Sequence, residues 1–200
     1  MTDHYYSHNP DVAHEEKHFE FTLLGNVLKF VTDNGVFSKR TIDFGSRVLI
    51  DNATLADLPK GDILDLGTGY GPIGLSVAKK YANRQIDMAD VNERALHLAK
   101  MNASENNIKN VTIFTSDIYS QVTKKYAAIL TNPPVRAGKQ VVDDMLSGAS
   151  DHLVVGGHLN VVLQKKQGAP SAKKLMTEVF GNCEVIKKDK GYYILDSVKE

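Results

Sequence analysis

The chain has 200 residues, 42% hydrophobic and 24% charged, enough to bury the core of one domain without disulfides or a structural metal. Lysine plus arginine equals aspartate plus glutamate at 24 each, so no global basic charge announces nucleic acid. A single cysteine, Cys183, excludes an internal disulfide framework; no apolar run can cross a bilayer and the polar start, Met1 to Lys17, lacks a signal-peptide core, so a cytoplasmic location is expected.

The first 18 residues are polar and hold His4, His8, His14 and His18. Within them His14-Glu15-Glu16-Lys17-His18 has the zinc-protease spacing, but that motif needs a long buried helix, whereas a strand starts at Phe19. A polar arm without metal is expected. Phe19, Phe21 and Leu23 alternate with polar residues, Gly25-Asn26 turns, and Val27 to Val31 returns, which predicts a hairpin. Asp33-Asn34-Gly35 makes a second turn before Val36-Phe37. Ile42 to Leu55 reads as a helix, with Val48, Leu49 and Ala53 on one face and Pro59 beyond its end.

From Asp62 strand and helix alternate. Strands are predicted at Ile63 to Leu66, Gln85 to Ala89, Val111 to Thr115, Tyr126 to Thr131 and His158 to Leu163. Helices are predicted at Pro72 to Tyr81, Asn92 to Asn102, around Val141 to Ala149, and around Leu175 to Phe180. Cys183 to Ile186 and Tyr192 to Asp196 form a closing hairpin about Lys190-Gly191. The pattern predicts an α/β, doubly wound, Rossmann-like sheet, mostly parallel with an antiparallel C-terminal pair and a short N-terminal β-hairpin before it. One domain over 1–200 is expected, with the arm and hairpin of 1–40 packed on it. The lysine pairs, such as Lys124-Lys125, Lys165-Lys166 and Lys187-Lys188, read as solvated strand ends and helix faces.

Asp65-Leu66-Gly67-Thr68-Gly69-Tyr70-Gly71 sits where the first of these strands turns into its helix, where doubly wound sheets bind ligands. A dinucleotide fingerprint is present in Gly69-Tyr70-Gly71-Pro72-Ile73-Gly74, with Asp90 further on, which allows a nicotinamide cofactor. Three carboxylates at successive strand ends favour S-adenosylmethionine instead. Asp65 would repel a pyrophosphate but attract a methionine ammonium, directly or through water. Asp90 can accept ribose hydroxyls, and Asp117 the adenine amino group. A helix N-cap is the ordinary alternative for each of them. The expected cofactor set is Asp65, Gly67, Thr68, Gly69, Tyr70, Gly71, Asp90, Val91, Asp117, Ile118 and Asn132.

Asn132-Pro133-Pro134-Val135 follows the strand ending at Thr131. The prolines fix φ, remove two donors and hold Asn132 extended, leaving a rigid shelf with an amide oxygen and free backbone carbonyls. Such a shelf suits a planar exocyclic amine, so Asn132, Pro133 and Pro134 are the catalytic candidates, with Val135, Arg136 and Phe37 on the substrate side. A strand-ending turn is the plainer alternative.

Ile63 to Gly71, Asp90, Asp117 and Asn132 to Val135 together resemble the class I methyltransferases, in the amine-methylating branch with Asn/Asp-Pro-Pro followed by an aromatic or aliphatic residue. Nearly the whole chain is similar to the small-domain group related to the ribosomal RNA small-subunit guanine-N2 methyltransferase C family. That likeness rests on His4-Tyr5-Tyr6-Ser7, Gly35-Val36-Phe37-Ser38, Asp43-Phe44-Gly45-Ser46, the glycine loop and Asn132 to Lys139. The larger enzymes of that family carry an additional N-terminal domain. The resemblance implies methylation of guanine N2 in small-subunit ribosomal RNA, with RNA or the small ribosomal subunit as partner. Adenine N6 and a protein glutamine amide present the same two donors and stay open, as does a non-catalytic cofactor-binding module serving ribosome assembly.

Overall fold

The computed structural model describes residues 16–33 and 41–200. Phe37, and the histidine-rich segment up to Glu15, lie outside the described residues. An antiparallel hairpin, β1 (Lys17–Leu23) and β2 (Asn26–Thr32), pairs Lys17 with Thr32 through Leu23 with Asn26. It precedes α1 (Phe44–Asn52), β3 (Ile63–Leu66), α2 (Pro72–Lys80), β4 (Ile86–Asp90), α3 (Glu93–Glu105), β5 (Val111–Thr115) and β6 (Tyr126–Thr131). Then follow α4 (Lys139–Gly148), β7 (Leu153–Gln164), α5 (Ala169–Phe180), β8 (Glu184–Asp189) and β9 (Tyr192–Val198).

The seven-stranded sheet runs β5-β4-β3-β6-β7-β9-β8, with β5, β4, β3, β6 and β7 parallel and β9 antiparallel to both β7 and β8. The expected doubly wound fold with a closing antiparallel pair is the one observed. Alternation along the strands divides the core between the two faces of the sheet. Ile63, Met88 and Leu130 face the cluster built with the hairpin and α1 to α3, while Leu64, Ile129 and Leu195 face the cluster built with α4 and α5.

α3 and β8 each run three residues beyond the expected end, to Glu105 and Asp189, and two further differences have a visible physical cause. β7 begins at Leu153, well before His158, because Gly156 and Gly157 do not end the strand. A Cβ on Gly157 would lie 2.9 Å from the Val154 carbonyl and 3.0 Å from that of Tyr126, so only glycine lets the backbones approach at this bulge. α1 is shorter than Ile42 to Leu55, because Asp43 caps its start, with Oδ1 accepting from Ser46 N at 2.9 Å.

The hairpin is fastened by two asparagines four residues apart, Asn102 in the last turns of α3 and Asn106 at its C-cap. Asn102 accepts from Val31 N through Oδ1 (2.7 Å) and donates through Nδ2 to Val31 O (3.0 Å) and Tyr70 O (2.9 Å). Asn106 makes the same reciprocal pair with Lys29, at 2.9 and 2.7 Å. Side-chain amides thus stand in for a neighbouring strand along β2, and Asn102 joins the hairpin to the glycine loop. The chain order reverses between β3 and its neighbours β4 and β6, and ligands of doubly wound sheets bind at the carboxyl ends of the strands at that point.

Candidate functional site

A cavity of about 300 Å³ opens at that place, walled by the glycine loop, the end of β4, the Asn-Pro-Pro run and the ends of β7 and β9. Its size is that of a small-molecule site. The loop hangs from β4: Gly67 N and Thr68 N both donate to Ala89 O, at 2.8 and 3.0 Å. Gly69 N donates to Asp90 Oδ2 (2.8 Å) and Asn92 N to Asp90 Oδ1 (2.9 Å). Burial pushes the Asp90 carboxyl above its ordinary range, opposed by the N–H groups of Asn92, Gly69 and Val91.

Gly69 and Gly71 serve different needs. Both have positive φ, at 59° and 101°. A Cβ on Gly71 would strike Leu75 Cδ1 at 2.9 Å and Met88 Cε at 3.0 Å, so Gly71 lets α2 settle on β4. A Cβ on Gly69 would meet nothing within 4 Å, and this residue lines the cavity.

Asp65 lies beneath the loop and does not form part of the cavity wall. Its Oδ2 accepts from Thr68 Oγ1 (2.5 Å) and Gly74 N (2.7 Å), while Oδ1 is buried without a hydrogen-bond partner among the described residues. Burial raises its pKa to about 7, against the lowering effect of those two donors. The strand β3 is buried throughout, so its one carboxylate is claimed by the donors of the turn that follows.

Asn132 follows β6, whose last residue Thr131 donates through Oγ1 to Leu66 O at 2.8 Å and so joins the ends of β6 and β3. Its Nδ2 donates to Asp43 Oδ2 (2.9 Å) and Ser46 Oγ (3.0 Å). A carboxylate only accepts, so the group facing Asp43 must be the amide NH₂. The Oδ1 atom is thereby left as the acceptor turned elsewhere.

The backbone carbonyls of the shelf are not free, contrary to the expectation from sequence. Pro133 O accepts from Val135 N (2.9 Å) across an inverse γ-turn at Pro134 (φ −77°, ψ 79°), and Pro134 O accepts from Ala137 N (2.8 Å) where Val135–Ala137 curls into a 3₁₀ turn. Each keeps one lone pair.

Of the expected residues, Gly67, Thr68, Gly69, Tyr70, Asp90, Asn132, Pro133, Pro134, Val135 and Arg136 line the cavity. Gly71, Val91, Asp117 and Ile118 stand outside its wall. Segment 116–121 folds into its own turn, with Ser116 Oγ donating to Ile118 O and accepting from Gln121 N, and Asp117 is exposed. It still adjoins the cavity rim, since Ser116 N donates to Asp90 O at 2.9 Å.

Sequence reasoning missed Asp43 and Ser46 as wall residues, along with Gln164, Gln167 and Tyr192. Asp43 carried a visible signal, a capping residue three positions before Ser46, though nothing in the sequence pointed it at Asn132. Tyr192 lies in the observed wall because Gly45 leaves room: a Cβ there would sit 2.8 Å from the tyrosine ring. Phe44 packs against the same ring at 5.6 Å between centroids.

The model of the methyltransferase small domain matches residues 27–196. The Bacillus subtilis protein YbxB, uncharacterized, is 48% identical over 201 residues and covers 100% of both chains. The ribosomal RNA small subunit methyltransferase C of Haemophilus influenzae is 33% identical over 169 residues, which are 82% of this chain and 49% of that protein. Among solved structures, the Thermus thermophilus 16S rRNA N2 G1207 methyltransferase in complex with AdoMet and guanosine superposes with a TM-score of 0.82 at 22% identity, over 96% of this chain and 52% of that one. At that identity the likeness is one of fold. The chain spans about half the length of the methyltransferase C relatives that it matches.

Proposed function

The chain belongs to the methyltransferase small-domain family and is an S-adenosylmethionine-dependent methyltransferase, and we propose that its acceptor is an exocyclic amine, guanine N2 in small-subunit ribosomal RNA. The observation that carries this reading is the pinned Asn132 amide, whose NH₂ is held by Asp43 and Ser46 so that Oδ1 is the acceptor.

The wall fits the cofactor. The space above Gly69 admits a ligand against bare backbone, and two carboxylates, Asp43 and Asp90, stand among the described wall residues with Arg136 as the one cation. That balance suits a cationic nucleoside without phosphates better than a dinucleotide. Asp90 would take the ribose hydroxyls, with Gly67, Thr68, Gly69, Tyr70 and Gly71 forming the turn around the methionine end. Asp65 would act through Thr68, which it holds and which lines the wall. Val91, Asp117 and Ile118 are assigned to the adenine end, which would extend past the rim where Ser116 meets Asp90.

When bound, S-adenosylmethionine supplies an electrophilic methyl group on its sulfonium. The protein then has to place and desolvate an amine whose lone pair is spread into a ring. Asn132 Oδ1 would accept one N–H and the remaining lone pair of Pro133 O the other, favouring a pyramidal nitrogen. Both acceptors gain strength as positive charge develops on nitrogen, so they bind the transition state better than the ground state. Val135 and Arg136 would contact the base and its neighbours, and Phe37 belongs to the same proposed substrate side. A base in folded RNA must first be unstacked into the cavity.

The partner is accordingly ribosomal RNA or the small ribosomal subunit, and the site of action the cytoplasm. No helix among the described residues is long and apolar enough to cross a membrane, and no described cluster of three or more metal-binding side chains occurs. Small-subunit RNA from a strain deleted for the gene, incubated with the protein and cofactor and digested to nucleosides, should yield N2-methylguanosine by mass spectrometry. Appearance of N6-methyladenosine, or of methylated glutamine in a ribosomal protein, would replace guanine N2 by that acceptor. Cofactor binding without transfer to any of the three would return the chain to the binding-module reading.

A further inference from the structure

Gln164 ends β7 and lies opposite Tyr192 at the start of β9, and both line the cavity. Its Oε1 is buried with no hydrogen-bond partner among the described residues. A half-buried carboxamide in a cavity wall, with no described residue claiming its acceptor, is an unusual element of a folded protein, since buried polar side-chain atoms are nearly always paired. Its position is nevertheless well defined. The Gln164 backbone is at φ −71° and ψ 143°, fixed by the ladder to β9 on one side and the 3₁₀ turn Lys165–Gln167 on the other. Tyr192 beside it is held by Gly45 and Phe44.

We propose that Gln164 is the base-reading residue of the site, its carboxamide pairing with the donor–acceptor edge of the purine that presents the reacting amine, against the Tyr192 ring. The proposal rests on the exocyclic-amine reading above. A carboxamide offers an acceptor and a donor side by side, and guanine offers N1–H and O6 side by side next to the N2 amine. With N2 taken by Asn132, the N1–H and O6 pair is what remains to be read. Leaving those groups unpaired in a dry site is the strongest means of rejecting a wrong base, because the protein's own polar atoms go unpaired with them. Gln164 is placed to do this; Asn132, already committed to Asp43 and Ser46, is not.

The test uses the full chain with undermethylated small-subunit RNA, and free nucleosides as competitors. Gln164→Met keeps the shape and removes the hydrogen bonds; Gln164→Glu keeps an acceptor for N1–H and repels O6. Both variants should lower kcat/KM for RNA by about tenfold or more, the effect of one lost paired contact, while S-adenosylhomocysteine affinity by calorimetry stays within about twofold of wild type. In competition, guanosine and inosine should inhibit the wild type at lower concentration than 2-aminopurine riboside, which keeps the N2 amine but lacks N1–H and O6. Gln164→Met should abolish that preference. A Met variant with wild-type kcat/KM, or with the wild-type preference between the nucleosides, would overturn the assignment while leaving guanine N2 as the acceptor. Failure of the parent reading appears separately, as a wild-type protein that transfers no methyl group to guanine in the first place.

Discussion

Asp43 performs two tasks with one carboxylate: it caps α1 through Ser46 N and orients the Asn132 amide across 89 residues of sequence. Asn132→Ala should cut turnover by roughly 10²-fold with cofactor affinity nearly unchanged, because the proposed transition-state acceptor is lost. Asp43→Ala should lower turnover in the same way and also cost about 1 kcal/mol of stability through the lost cap. Single-turnover kinetics and denaturant titration separate the two effects; Asp43→Ala with full activity would show that the amide needs no holding. Asp65 gives a residue-scale prediction of another kind. Its folded pKa, about 7, lies above the ordinary carboxylate value, so the folded state binds the proton more tightly than the unfolded one. The stabilising contribution is therefore complete below the unfolded value near 4 and declines as pH rises towards 7, by an amount on the order of 4 kcal/mol. Melting curves of the protein without cofactor should show stability falling across that window, and Asp65→Asn should flatten the fall. A wild type and an Asp65→Asn variant with parallel pH profiles would contradict this. Residue-scale legibility was uneven for a physical reason. Asn132 could be read because the prolines after it force its conformation, and Asp90 because it ends a strand at the spacing of the glycine fingerprint, whereas Asp43, Gln164 and Tyr192 become wall residues only through contacts between distant segments.

At the scale of elements, β3, β5 and β6 were legible to their bounds because each is a short apolar run between turn residues. β7 was half hidden by Gly156-Gly157, where glycine marks a close backbone approach rather than a break. The clasp between the hairpin and α3 was not legible at all, since Asn102 sits in a helix where asparagine reads as a weak former and Asn106 is only the residue that caps its end. Asn102→Ala would leave Val31 N–H, Val31 O and Tyr70 O without that buried partner. Destabilisation of about 3 kcal/mol is expected, together with weaker cofactor binding, because Tyr70 lines the cavity. Denaturant unfolding and calorimetry check both parts. A stable variant with unchanged affinity would mean that the hairpin and the loop are independent.

For the whole molecule, equal numbers of acidic and basic residues mean that attraction to RNA, the proposed partner, would have to be local. Among the described residues, exposed cations in or beside the wall are Arg136, which lines it, and Lys165 and Lys166, which lie between Gln164 and Gln167. If these meet about three phosphates, the logarithm of RNA affinity should fall against the logarithm of salt with a slope of roughly −2 to −3. Filter binding over a salt series measures it. A slope steeper than about −6 would show that a much larger part of the surface faces the RNA.

The small size of Gly45 has a consequence for how the protein is made. Residues 43 to 46 anchor Asn132 on one side and make room for Tyr192 on the other, yet Tyr192 belongs to β9, which enters the sheet between β7 and β8. A nascent chain emerging from the ribosome can fold the glycine loop, β6 and the shelf early, but β8 has no neighbour in the sheet until β9 follows it. The residues of the proposed cofactor half of the cavity are thus synthesised before Tyr192, which closes the half proposed to receive the substrate. Synthesis halted before Tyr192 should leave a product that lacks the second wall, and a partly made enzyme would have no closed place in which to hold a base.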